Sequence, residues 1–81
     1  MNLNKLFDVF KQKKLSYIDA KVHDGGVFFH ASTGYNGRGN AIEVRIFPDG
    51  IISMEVWSDK TKYELANISE EVCLDKISKA W

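Results

Sequence analysis

The sequence holds one cysteine, Cys73, and one proline, Pro48. A single cysteine excludes an internal disulfide, the staple on which small secreted domains usually depend, so a reducing interior is expected. No apolar run approaches the ~20 residues of a membrane span. Met1-Asn2-Leu3-Asn4-Lys5 has none of the apolar core of a signal peptide. A cytoplasmic protein without membrane contact is therefore expected. Neither sign of charge is in excess: eleven basic side chains balance eleven acidic ones. That balance argues against a domain built mainly to grip phosphate backbones. The sequence also has no internal repeat, linker or low-complexity segment, and no ligand pair with zinc-type spacing such as C-x-x-C or H-x-x-x-H. No cofactor and no metal are expected.

What remains is an ordinary globular composition over 81 residues, 44% hydrophobic and 27% charged. That length allows one domain, residues 1–81, with a modest core. Nine lysines against two arginines, with abundant Ile and Asn, fit an AT-rich bacterial or phage genome.

Leu3, Leu6, Phe7 and Phe10 fall at i, i+3, i+4 and i+7, which predicts a helix over 3–13 with Asn2 as its cap. Lys11, Lys13 and Lys14 then suit the negative end of its dipole. From Ser16 the period becomes two. Asp24-Gly25 between alternating runs signals a tight hairpin that pairs Val22 with Val27, Ala20 with Phe29 and Ile18 with Ala31 on one apolar face. A second hairpin, Ala41–Phe47 with Ile51–Ser58, turns at Pro48-Asp49-Gly50 and opposes Ile46 to Ile52, Val44 to Met54 and Ile42 to Val56. On its other face Glu43 meets Glu55, with Arg45 as the neighbouring cation. Ser58-Asp59-Lys60-Thr61 turns again into a short fifth strand at Lys62–Ala66, with Tyr63 and Leu65 inward. Asn67 or Ser69 caps a second helix whose buried stripe is Cys73, Ile77 and Trp81, with Val72 and Ala80 alongside.

The expected fold is α+β: two layers, an antiparallel sheet of four to five strands with an N-terminal and a C-terminal helix, ordered α-β-β-β-β-(β)-α. The helices should cover Ile18, Ala20, Val22, Phe29, Ile42, Val44, Ile46, Met54 and Val56.

Several groups of residues are candidates for chemistry. Asp19 faces His30, as a general base would need, with Tyr17 and Ser32 one step along; an exposed cross-strand pair explains the same residues. His23, Asp24, His30 and Cys73 lack metal-site spacing. Gly34-Tyr35-Asn36-Gly37-Arg38-Gly39 joins two strands, so no helix N-terminus faces a bound phosphate, although Arg38 suits an anion and Tyr35 a stacking partner. Cys73 reads as a small buried hydrophobe. The prominent signal is Tyr17, Phe28, Phe47, Ile51 and Trp57 on the face opposite the core. Large apolar side chains crowd an exposed sheet face where a partner binds, or where another part of the chain covers them.

The leading expectation is a non-enzymatic protein-binding module that occludes a protein partner through Tyr35, Arg38, Phe28, Phe47, Trp57, Tyr17, Arg45 and His30. Small intracellular proteins of this size include inhibitors, immunity partners and phage anti-defence factors. A homodimer through the same face is compatible with it. The alternative is a nucleic-acid-binding module using the aromatic sheet face and a basic first helix, since residues 1–23 carry five lysines against two acids. The element order invites comparison with double-stranded-RNA-binding domains, but Ser69-Glu70-Glu71 stands where a basic cluster belongs.

Overall fold

The computed structural model describes residues 1–59 and 61–81; Lys60, within the turn expected at 58–61, lies outside the described residues. Helix α1 (Leu3–Gln12) forms as its apolar stripe requires, with Leu6 and Phe10 fully buried. The Asn2 side chain accepts the Lys5 N–H at 3.3 Å and so caps the first turn. The far end closes as a Schellman motif. Lys14 takes φ +59°, its N–H donates to the Lys11 carbonyl, and the Leu15 N–H donates to the Phe10 carbonyl. That geometry tucks Leu15 into the core, 1% exposed. No periodicity marked Leu15, because it follows the last helical turn.

Five antiparallel strands follow in chain order: β1 (Tyr17–His23), β2 (Gly26–Ser32), β3 (Ala41–Ile46), β4 (Ile52–Trp57) and β5 (Lys62–Ile68). Both hairpin registers are those the alternation predicts: Val22 opposes Val27, Ala20 opposes Phe29, Ile46 opposes Ile52 and Ile42 opposes Val56. Asp24 and Gly25 carry φ of +49° and +80°, a turn whose twist matches the strands it joins. The fifth strand exists and runs two residues beyond the expected Ala66, with a register shift between Ile52 and Met54 and Asn67 at φ +52°. Tyr63 and Leu65 pack on the core from it.

Helix α2 (Glu70–Ser78) is capped by Ser69, whose hydroxyl accepts the Val72 N–H at 3.1 Å. It buries Cys73 and Ile77, and Ala80 just beyond it is also buried. Trp81 leaves the expected stripe and is 46% exposed, because the helix ends at Ser78 and the four-residue step no longer returns to the same side. Its ring instead lies 5.9 Å from the Lys13 ammonium. Val72 is exposed as well.

Both helices lie on one face of the sheet, where Leu6, Phe10, Leu15, Cys73 and Ile77 pack with Phe29, Ala31, Ile42, Val44, Met54 and Val56. One expectation fails there. Ile18, Ala20 and Val22 are exposed, as is all of β1, and Ile46 is only half-buried. Five strands about 4.8 Å apart make a sheet about 24 Å wide, while two helices about 10 Å across cover about 20 Å of it. Since α2 follows β5 after a single residue and α1 lies beside α2, the uncovered strand is β1.

Burial gives Cys73 a measurable pH signature. Loss of solvation, and secondarily the Glu70 carboxylate, push its thiol from an ordinary 9.0 up to about 11. Below pH 9 the folded and unfolded chains both hold the proton. Between pH 9 and 11 only the unfolded chain releases it, so the stabilisation present below 9 is lost as the pH rises through 11. Two pH units correspond to at most about 3 kcal/mol. Urea denaturation of the native chain should therefore weaken more from pH 9 to 11 than that of Cys73→Ala. Parallel pH profiles would show that the thiol is not sealed from water.

Candidate binding face

The opposite sheet face carries no helix, and register places its side chains in rows across the strands. One row runs Tyr17, Ser32, Ala41, Trp57 and Lys62; the next runs Asp19, His30, Glu43, Glu55 and Glu64; a third runs Lys21, Phe28, Arg45 and Ser53. Of the residues expected on this face, Tyr17 (47% exposed) meets Tyr35 (69% exposed) edge-on, with ring centres 5.9 Å apart. Phe28 meets Phe47 edge-on at 5.6 Å, and His30 tilts against Trp57 at 5.5 Å. Phe28, His30 and Trp57 are half-buried. The structure thus brings Tyr17, Phe28, His30, Tyr35, Phe47 and Trp57 onto one surface.

The connection between β2 and β3 folds back over that surface. It contains a single turn of 3-10 helix at Tyr35–Gly37, with Asn36 at φ +58° and Gly37 at φ +75°. A Cβ on Gly37 would lie 3.4 Å from the Nε2 of His30, so the backbone rests directly over the imidazole. Ser32 is buried beneath the loop, its hydroxyl donating to the Gly34 carbonyl at 2.8 Å. Between loop and sheet opens a depression of about 560 Å³, with Asp19, Lys21, Phe28, His30, Asn36, Gly37 and Glu43 around it. The sequence marked Asn36-Gly37 only as part of a connection between two strands; the Asn-Gly pair was the available signal for a turn with positive φ.

Two expected anchors are placed differently. Arg38 is exposed after the turn and lines none of the depression. Arg45 is committed within the chain. Its guanidinium donates to Glu43 at 2.7 Å and to Glu64 at 3.4 Å, with Glu55 at 3.8 Å. Burial works against its charge, but its hydrogen bond to Glu43 and the three carboxylates outweigh that and raise its pKa above the ordinary arginine value. Glu64 joins the group because it falls directly opposite Glu55 in the regular part of the β4–β5 ladder.

The remaining groups are arranged as follows. Asp19 and His30 are cross-strand neighbours, yet no hydrogen bond joins them among the described residues, and the Ser32 hydroxyl is turned to Gly34. His23 pairs with Asp24 at 3.3 Å in the exposed turn, remote from Cys73 in the core. No group of three His, Cys, Asp or Glu residues is placed to hold a metal ion among the described residues. The lysines of α1 lie on the helical side of the sheet, opposite the aromatic face. The Trp57 indole N–H is buried without an acceptor among the described residues. No described helix is long and apolar enough to cross a membrane. Comparison of the chain with protein-family models, with curated proteins and with solved structures finds no match in any of the three.

Proposed function

We propose that the protein is a non-enzymatic binding module whose helix-free sheet face docks on a protein and blocks that partner's working surface. The observation that supports this reading is the clustering of Tyr17, Phe28, His30, Tyr35 and Trp57 on a face that neither helix covers. Aromatic side chains of limited rotamer freedom are the residues that anchor protein interfaces. The face between them is acidic in its middle row, and its one arginine is already neutralised by three glutamates. A partner presenting lysine or arginine beside apolar side chains complements it. Arg45 therefore supports the face from within, and Tyr17 and Tyr35 are its most accessible anchors. The nucleic-acid reading loses support because the aromatic face and the basic helix lie on opposite sides of the sheet, so one strand of nucleic acid cannot use both.

Site-specific cross-linking tests this. A photoreactive side chain replacing Tyr35 should capture one protein from lysate of the source organism, and the same group replacing Lys76 on α2 should not. Tyr17→Ser together with Tyr35→Ser should weaken binding to that protein by about tenfold or more, since interface aromatics commonly contribute at least that much. Equal capture from both positions would remove the assignment. Retention of labelled RNA that falls steeply with salt would replace it by the nucleic-acid reading.

A further inference from the structure

Among the described strands, β1 is covered by neither α-helix, and beyond its pairing with β2 only the Tyr35 turn approaches it. Its seven residues are all exposed, Val22 at 79% and Ile18 at 41%. It lies at the sheet edge, with no proline and no irregularity in its pairing. The other edge, β5, is interrupted by a register shift and by Asn67 at φ +52°. Free, regular edges are usually blunted, because their unpaired N–H and C=O groups template another strand. One strand in from this edge, two exposed apolar side chains of α1, Leu3 and Phe7 at 42% and 39%, lie over β2, Leu3 beside Val27 and Phe29. Phe7 contacts Phe29 on β2, with ring centres 5.5 Å apart. An apolar strip of Leu3, Phe7, Ile18 and Val22 thus runs beside an open row of backbone hydrogen-bonding groups.

The order of residues along β1 indicates what fits there. The two-residue Asp24-Gly25 turn makes His23 and Gly26 a hydrogen-bonded pair, so the odd-numbered residues of β1 direct their backbone groups to β2. Ile18, Ala20 and Val22 then direct theirs outward. A second copy of the strand can join antiparallel about a two-fold axis at any residue of β1, since every such axis opposes even-numbered residues to even-numbered ones. The axis at Ala20 alone pairs all seven residues. It sets Ile18 against Val22 of the second copy on the apolar side and Asp19 against Lys21 of the second copy on the other, each pairing occurring twice by symmetry. Tyr17 falls opposite His23, and the small Ala20 meets its own copy at the axis. Opposite charges directly across a ladder are favourable, and like charges are not.

We propose that a second copy of this chain pairs with β1 about Ala20, joining two five-stranded sheets into one of ten strands. The apolar strips of the two α1 helices then face each other over Ile18 and Val22 of both chains. This interface uses the open backbone edge of β1, shares only Tyr17 with the aromatic cluster and does not depend on the function proposed for that face; a dimer would carry the face twice, side by side.

Sedimentation equilibrium of the intact protein, with circular dichroism to verify folding, tests the proposal. The native chain should show about twice its 9.2 kDa mass at micromolar concentration. Ala20→Pro removes only an outward N–H, since an edge strand tolerates proline where its N–H faces away from the sheet; it should yield a folded monomer. Asp19→Lys alone and Lys21→Asp alone each place like charges opposite one another twice and should weaken the dimer by about tenfold or more. The two changes together restore opposite charges and should restore the dimer. A monomeric native protein would overturn the proposal. So would a dimer indifferent to Ala20→Pro, or a folded double variant that stays as weak as the single ones.

Discussion

Phe10→Ala should cost about 3–5 kcal/mol, the usual range for deleting a fully buried aromatic side chain. Phe10 is 0% exposed, at the point where α1, the Leu15 turn and the sheet converge. Its carbonyl also accepts the Leu15 N–H that closes the helix, so the side chain and the cap share one residue. A chain of this length has about 4–12 kcal/mol of stability in all, so the variant should be close to unfolding at 37 °C. Thermal melting should fall by more than about 12 °C, given the small transition entropy of a domain this size. Leu3→Ala, on the same helix but 42% exposed, should cost less than about 1 kcal/mol in the isolated chain. Similar losses at the two positions would mean that α1 does not present the side described above to the core.

Arg45→Met should cost about 2 kcal/mol. A methionine can occupy much of the same space, but Glu43, Glu55 and Glu64 are then left adjacent without a counter-charge. Breaking a buried ion pair on one side costs about 3–5 kcal/mol, and breaking an exposed one about 0–1. The side chains here lie between those limits: Arg45, Glu43 and Glu55 are about a fifth exposed, and Glu64 is 55% exposed. Adding Glu55→Gln to Arg45→Met should recover part of the loss, because the cost arises from repulsion as well as from a missing hydrogen bond. Arg45→Lys should recover less than full stability, since one ammonium cannot reproduce a fork that reaches Glu43 from one nitrogen and Glu64 from the other. Urea denaturation of the four proteins measures all of this. A loss below about 0.5 kcal/mol for Arg45→Met would show the network to be energetically idle.

The sequence was most informative where a short-range rule had one solution. Asp24-Gly25 and Pro48-Asp49-Gly50, set between alternating runs, fix the parity of both hairpins, and the pairing across β1–β2 and β3–β4 follows. The same parity placed Arg45 beside Glu43 and Glu55. It did not reach Glu64, because Ser58–Thr61 holds no Asn-Gly or Asp-Gly pair to set the register of β5; Glu64 opposes Glu55 in the regular part of that ladder, before the shift between Ile52 and Met54. Alternation also misled at Ile18, Ala20 and Val22. It reports that one side of a strand is apolar, but the reach of the covering helices depends on where α2 begins and on how many strands share the sheet. Leu15 was hidden by the lysine in the left-handed position before it, where glycine would have announced the Schellman turn. Within the candidate face, the aromatic residues were legible from strand parity. The fold-back of Asn36 and Gly37 over His30 was not, because a loop's path depends on tertiary contacts.

The strand order has a consequence for how the chain comes together. Every strand pairs only with its neighbours in sequence, so all four pairings that build the sheet join consecutive strands and none requires a long crossover. Such local connectivity favours rapid folding. The exception is the contact between α1 and α2, which joins the two ends of the chain, the Asn2 N–H donating to Glu70. During synthesis α1 emerges before all five strands and its helical partner after them. Until α2 arrives, Leu6 and Phe10 have the sheet on one side and water on the other. Residues made after the whole sheet therefore seal a helix made before it.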